Sequence, residues 1–167
     1  IYYFADGEYL RKEMQFLIDN NIKDKGEYQL TNAMENMKQK GARFKAGSVD
    51  VWMDCGNKNA MVDTNTKVLG FLQGSKDMVS ASLKKENSIV IEPCFIGENV
   101  SLVNSIVGPN VSIESGAVVS GSVVKNSILR GNTRVQDCVM DNSMIGERAS
   151  VKGTALDVSI SDDSTLG

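Results

Sequence analysis

From residue 96 to residue 155 an aliphatic side chain recurs at six-residue steps, with a small side chain four places after it. The pairs are Ile96/Val100, Val107/Val111, Ile113/Ala117, Leu129/Thr133, Val135/Val139, Ile145/Ala149 and Val151/Ala155. This is neither the period of a helix nor the simple alternation of a strand. The second place of the hexad is often glycine (Gly97, Gly108, Gly146). The fourth is often Asn or Gly (Asn99, Asn110, Gly116, Asn132). Asn and Gly tolerate the positive φ that a tight corner demands. One coil of such a chain cannot bury its own aliphatic row, whereas stacked coils bury a continuous column. The pattern predicts an all-β solenoid over residues 88–167. The competing arrangement is a β-sandwich, and persistence of the period over about 70 residues favours the solenoid.

A longer repeat overlies the hexads. Asn-Ser, followed by two apolar residues, occurs at Asn87, Asn104, Asn126 and Asn142, with spacings of 17, 22 and 16. Three hexads would make a coil of about 18 residues, so each Asn-Ser is expected to mark one coil of a three-faced solenoid. The long spacing then implies a small insertion. The asparagines are expected to stack in a single ladder, each amide bonding to the next. A degenerate fifth copy is Val158-Ser159-Ile160.

Composition divides the chain near Asn87. Residues 1–87 hold nine of the ten aromatics and only eight Val and Ile; residues 88–167 hold one aromatic and 21 Val and Ile. A narrow triangular interior accounts for that contrast, since it accepts aliphatics and few rings. Net charge is +1 before the division and −4 after it. A mildly acidic chain without a basic block argues against nucleic acid or an anionic membrane as the main partner. No apolar run is long enough to span a bilayer, and no positively charged leader precedes an apolar stretch. Cys55, Cys94 and Cys138 are odd in number and widely spaced. They suit neither a disulfide framework nor a zinc site, and a reducing, cytoplasmic setting is the default. The chain contains no histidine. That removes the commonest general base, His-based nucleophile pairs and His-ligated metals. It begins at Ile1, within a strand candidate and without a methionine, and is expected to be a piece of something longer.

Residues 1–74 read as mixed α and β. Strands are expected at Ile1–Phe4 and Phe44–Val51. Helices are expected at Glu8–Asp19 behind Asp6, near Gln29–Lys40 with Gly41 as C-cap, and from about Asn59 to Leu72. Met14, Met34, Met37 and Met61 fall at helical spacing and read as core. Residues 75–87 read as connecting structure.

The hexads resemble the hexapeptide-repeat family, whose members fold as left-handed parallel β-helices. Many of those are acyltransferases that use a histidine as general base, which this chain lacks. The β-helix is therefore expected to serve assembly or regulation. A hexapeptide acyltransferase is the remoter reading.

Three segments of the first part carry a second resemblance: Ile1-Tyr2-Tyr3-Phe4, Lys25-Gly26-Glu27-Tyr28-Gln29-Leu30-Thr31-Asn32 and Val51-Trp52-Met53-Asp54-Cys55-Gly56-Asn57. In order and spacing they resemble the C-terminal third of the sugar nucleotidyltransferases. Those enzymes join a nucleoside triphosphate to a sugar 1-phosphate and release pyrophosphate, and several end in a hexapeptide β-helix. The fold class implied is the α/β remnant of a nucleotidyltransferase domain (1–74), a linker (75–87) and a left-handed β-helix (88–167).

By resemblance, Asp54 is one of two aspartates that hold the catalytic Mg²⁺, a hard cation that takes oxygen ligands. On its own residues it reads equally as a turn aspartate capping the next helix. Trp52 lines the sugar wall by resemblance, and otherwise is a core aromatic. Lys25 stands where the family has an arginine contacting the sugar phosphate; it is a point charge without a fork, and otherwise a solvated lysine. Glu27 and Thr31 match the family, yet can serve as caps, while Asn32 replaces its usual aspartate. Tyr2 matches an aromatic beside the sugar, and otherwise packs a strand. Cys55 lacks a basic partner and reads as inert.

Nothing in residues 1–87 resembles the family's glycine-rich triphosphate loop or its second aspartate. The resemblance implies that the parent protein is the enzyme and that this chain alone is inactive. The alternative is a non-catalytic subunit that pairs through its solenoid. Either form is expected to self-associate, because the ends of a solenoid leave unpaired edges.

Overall fold

A computed structural model of the chain describes residues 1–75, 77–153 and 155–167, except the side chains of Ala155 and Leu156. The chain divides into two compact units, Ile1–Asp50 and Val51–Gly167.

The first unit is a pair of helices, α1 (Gly7–Asp19) and α2 (Leu30–Gln39). Asp6 caps α1 by accepting the Tyr9 N–H at 3.0 Å. Both helices end in paired backbone bonds around a positive-φ residue, Asn21 after α1 and Gly41 after α2. Leu17, Ala33 and Met37 are buried between them. So is Glu13, whose two carboxylate oxygens accept from Lys40 Nζ at 2.7 and 2.8 Å. Two helices cover only one face of each other, so Met14 stays exposed where its helical spacing predicts core.

The expected strands at Ile1–Phe4 and Phe44–Val51 do not form. A strand needs a neighbour for its backbone groups, and among the described residues of this unit the ladder contacts amount to one bridge between Asp24 and Glu27. Among the described residues of this unit the regular elements are the two helices.

The second unit is a parallel β-solenoid with one helix, α3 (Lys58–Leu72), laid against it. The first face stacks β1 (Lys84–Glu86), β4 (Ser101–Val103), β7 (Val118–Ser120), β10 (Arg134–Gln136), β13 (Ser150–Lys152) and β16 (Thr165–Leu166). The second stacks β2 (Ile89–Val90), β5 (Ile106–Val107), β8 (Val123–Val124), β11 (Val139–Met140) and β14 (Ala155–Leu156). The third stacks β3 (Cys94–Ile96), β6 (Val111–Ile113), β9 (Ser127–Leu129), β12 (Met144–Ile145) and β15 (Ser159–Ile160). Strand β1 lies inside the segment read as connecting, and β15 coincides with the degenerate fifth copy of the repeat.

The coils are shorter than three hexads. Partners in register on the first face are Lys84, Ser101, Val118, Arg134, Ser150 and Thr165, a step that falls from 17 residues to 15. The inward row runs Leu102, Val107, Ile113, Val119, Val124, Leu129, Val135, Met140, Ile145 and Val151, all buried. Some faces are thus five residues long, and this displaces one expected core position: Val139 points outward at 55% exposure and Cys138 takes the small-residue place, two residues before the inward Met140. The small-residue row holds otherwise, with Val100, Val111, Ala117, Thr133 and Ala149 buried. Ala155 lies outside the described side chains.

The single asparagine ladder is also corrected. Asn87 donates to Asn104 Oδ1 at 2.8 Å on the corner between the first and second faces. Asn126 stands on the next corner, where it accepts from Asn110 at 3.0 Å and donates to Asp141 at 2.9 Å. The 22-residue spacing is one coil plus one face, with no insertion.

The serines of the Asn-Ser repeats, together with Ser122 after Gly121, have their own task. Ser88, Ser105 and Ser122 accept the N–H of Ser105, Ser122 and Cys138 in the coil above, at 3.0, 3.1 and 3.0 Å. Ser127 accepts the Ser143 N–H at 3.1 Å on the other corner. Each hydroxyl satisfies a buried backbone donor that the turning chain takes out of the ladder.

Thr133 breaks this economy. It is fully buried, and its hydroxyl has no hydrogen-bond partner among the described residues. A buried hydroxyl without a partner is destabilising, and valine has nearly the same shape. Thr133→Val is expected to raise stability by about 1 kcal/mol, read as a higher urea midpoint; a lower midpoint would show that the hydroxyl is satisfied.

Candidate functional site

The Trp52–Asn57 loop leads into α3, whose N-cap is Asn57: its Oδ1 accepts the Ala60 N–H at 3.0 Å. Asp54 is therefore not the cap. Its Oδ1 accepts the Gly56 N–H at 3.0 Å, closing a small side-chain turn, and its carbonyl accepts the Thr64 hydroxyl at 2.8 Å. The carboxylate is exposed. Gly56 keeps the turn tight, since a Cβ there would stand 3.3 Å from Asp54 Oδ1. Trp52 is 71% exposed, which excludes the buried core aromatic within this chain.

Asp54 offers a hard oxygen donor of the kind Mg²⁺ takes. By itself it supplies one such donor. Among the described residues no group of three or more His, Cys, Asp or Glu converges to hold a metal.

In the first unit Lys25 and Gly26 form the tip of a two-residue turn, with φ of +50° and +86°. Asp24 and Glu27 flank it and exchange backbone hydrogen bonds at 2.9 and 3.0 Å. This is the geometry for which glycine is favoured at the second tip position, and it presents the Lys25 side chain to solvent. Glu27 accepts from Gln29 Nε2 at 3.1 Å. Neither Glu27 nor Thr31 caps α2, whose N-cap Gln29 makes no side-chain bond to the helix backbone. Tyr2 is exposed, with its ring 6.4 Å from that of Phe4. A cavity of about 580 Å³ in the same unit is lined by Phe4, Tyr9, Met37, Arg43, Phe44 and Lys45, among others; Tyr2, Lys25 and Glu27 do not line it.

The sequence reading missed the residues that fasten the loop's helix to the solenoid. Lys58 Nζ donates to the Asn142 carbonyl at 2.8 Å and pairs with the Asp157 carboxylate. Asn142 donates to Asn59 Oδ1 at 3.2 Å. Further along, Asn65 donates to the Asn110 carbonyl at 3.3 Å and accepts from Ser112 at 2.5 Å. The hydrogen bond from Lys58 holds the Asp157 carboxyl below the ordinary carboxylate range. The contacts span up to 99 residues, beyond the reach of any local pattern.

The parallel β-solenoid behind a Trp-x-Asp-x-Gly loop accompanies a distant similarity to a sugar-1-phosphate nucleotidyltransferase. The chain is 25% identical over 142 residues to a glucose-1-phosphate thymidylyltransferase of Streptomyces antibioticus. The match takes in 76% of this chain and 40% of that protein, so the chain spans less than half the length of its relative. No family model matches. Among the described residues no helix is long and apolar enough to cross a membrane.

Proposed function

We propose that this chain is the C-terminal portion of a sugar-1-phosphate nucleotidyltransferase, which converts a nucleoside triphosphate and a sugar 1-phosphate into a nucleotide sugar and pyrophosphate. The observation that carries the reading is the exposed Asp54 carboxylate on a glycine-tightened loop at the head of a solenoid-docked helix, in a chain related to a thymidylyltransferase.

In this reading Asp54 supplies one of the carboxylates for Mg²⁺. The ion, when bound, neutralises phosphate charge during in-line attack at the α-phosphorus. Lys25 contributes a cation for the sugar phosphate, and Trp52, Tyr2 and Glu27 contribute surface beside the sugar. The exposed Tyr2, Tyr3, Val51, Trp52 and Met53 support the reading, since apolar surface of this kind is normally covered. The β-helix serves assembly or positioning, because no histidine is present for acyl transfer.

The test is pyrophosphate release from dTTP and glucose 1-phosphate by the protein expressed from the whole gene, with GTP and mannose 1-phosphate as the second pair. Turnover is expected from the whole protein and not from residues 1–167 alone. A whole-gene product that binds neither triphosphate nor sugar phosphate would sink the proposal and favour the non-catalytic subunit.

A further inference from the structure

Lysine in the first turn of a helix is unfavourable, because the helix N-terminus already carries partial positive charge. Lys58 nevertheless opens α3, only four residues after Asp54, and its side chain is just 21% exposed. It is turned onto the solenoid, where the Asn142 carbonyl and the Asp157 carboxylate receive it. Asn142 lies between β11 and β12, and Asp157 lies between β14 and β15, so one lysine joins two successive coils. Asn142 closes the arrangement by donating to both Asn59 and Asp157. The loop is fastened in turn to the helix through the Thr64 hydroxyl on the Asp54 carbonyl.

We propose that Lys58, Asn142 and Asp157 form a positioning clamp by which the β-solenoid fixes the Trp52–Gly56 loop. The inference rests on the proposed function for its purpose, but its geometry stands without it. The solenoid is then more than an assembly module: its fourth and fifth coils set where the Asp54 carboxylate stands. The path runs from coil to Lys58, along the first two turns of α3 to Thr64, and back to Asp54. An exposed ion pair by itself adds little to stability. The effect of this one is expected in the order of the loop rather than in the melting of the fold.

The test uses the 167-residue chain, whose single tryptophan is Trp52. Lys58→Met and Asp157→Asn are expected to lower the fluorescence anisotropy of Trp52. They should also speed exchange of the Gly56 amide, which is bonded to Asp54, by about fivefold. The unfolding midpoint should hardly move. Lys58→Arg is expected to restore both readouts. Lys67→Met, which removes an ion pair with Asp63 on the same helix, is expected to change neither. Unchanged anisotropy and exchange in Lys58→Met would overturn the clamp, as would an equal effect from Lys67→Met. Neither readout involves turnover. A loosened loop alongside an inactive whole-gene product would therefore count against the enzyme reading and leave the clamp in place.

Discussion

Replacing Gly108 with alanine is expected to cost more than about 4 kcal/mol and to disrupt the stacking of the first two coils. The glycine has φ of +105°, and a Cβ built on it would lie 1.9 Å from the Ile91 carbonyl oxygen and 2.8 Å from Cys94 Sγ. The first of these is a backbone atom and cannot swing aside. Nor can the coils part locally: Ile91 N–H bonds to the Val107 carbonyl and Gly108 N–H to the Val124 carbonyl, both at 2.8 Å. Gly153 separates the two causes. It has φ of +109°, and among the described residues nothing lies within 4 Å of its would-be Cβ. Gly153→Ala should cost only the backbone strain, about 1–3 kcal/mol. Urea unfolding followed by circular dichroism reads both. Equal losses would mean that backbone conformation, not the approach of the next coil, demands glycine in the hexad.

The second large effect concerns Asp54 in the whole-gene protein. If the proposed function holds, Asp54→Ala is expected to lower kcat by about 100-fold, the loss that removal of a carboxylate from a metal site would bring. Asp54→Asn is the sharper variant. Its side-chain oxygen can still accept the Gly56 N–H and keep the turn, while the charge is gone. If Asp54 holds a metal, the asparagine variant should be nearly as inactive as the alanine one. If Asp54 only shapes the loop, asparagine should retain most of the activity. Since the carboxylate is exposed and bonds only locally, neither variant should change the unfolding midpoint by more than about 0.5 kcal/mol.

The solenoid was legible because its core is built by sequence-local rows. Ile96, Val107, Ile113, Leu129, Val135 and Ile145 announce themselves at hexad spacing, and Asn99, Asn110, Gly116 and Asn132 all take the positive φ read from their type. Face length was not legible, since five and six residues both span a short face and only stacking decides between them. That choice put Val139 outside and moved Asn126 one corner on from Asn104. In the first part the helix caps were readable from Asp6 and Gly41, whereas the strands were not, because a strand is a property of two segments. The Trp52–Gly56 motif could be found from local order alone. The Lys58–Asp157 contact could not, because it exists only once five coils have stacked.

Helix α3 also changes how the solenoid would respond to a mechanical load. A bare stack of coils peels from its end, one layer after another, because each layer touches only its neighbours. This helix bonds to the second coil at Asn110 and Ser112, to the fourth at Asn142 and to the fifth at Asp157. It therefore acts as a splint across the layers, and tension applied along the stack would be shared among several coils instead of falling on the outermost one.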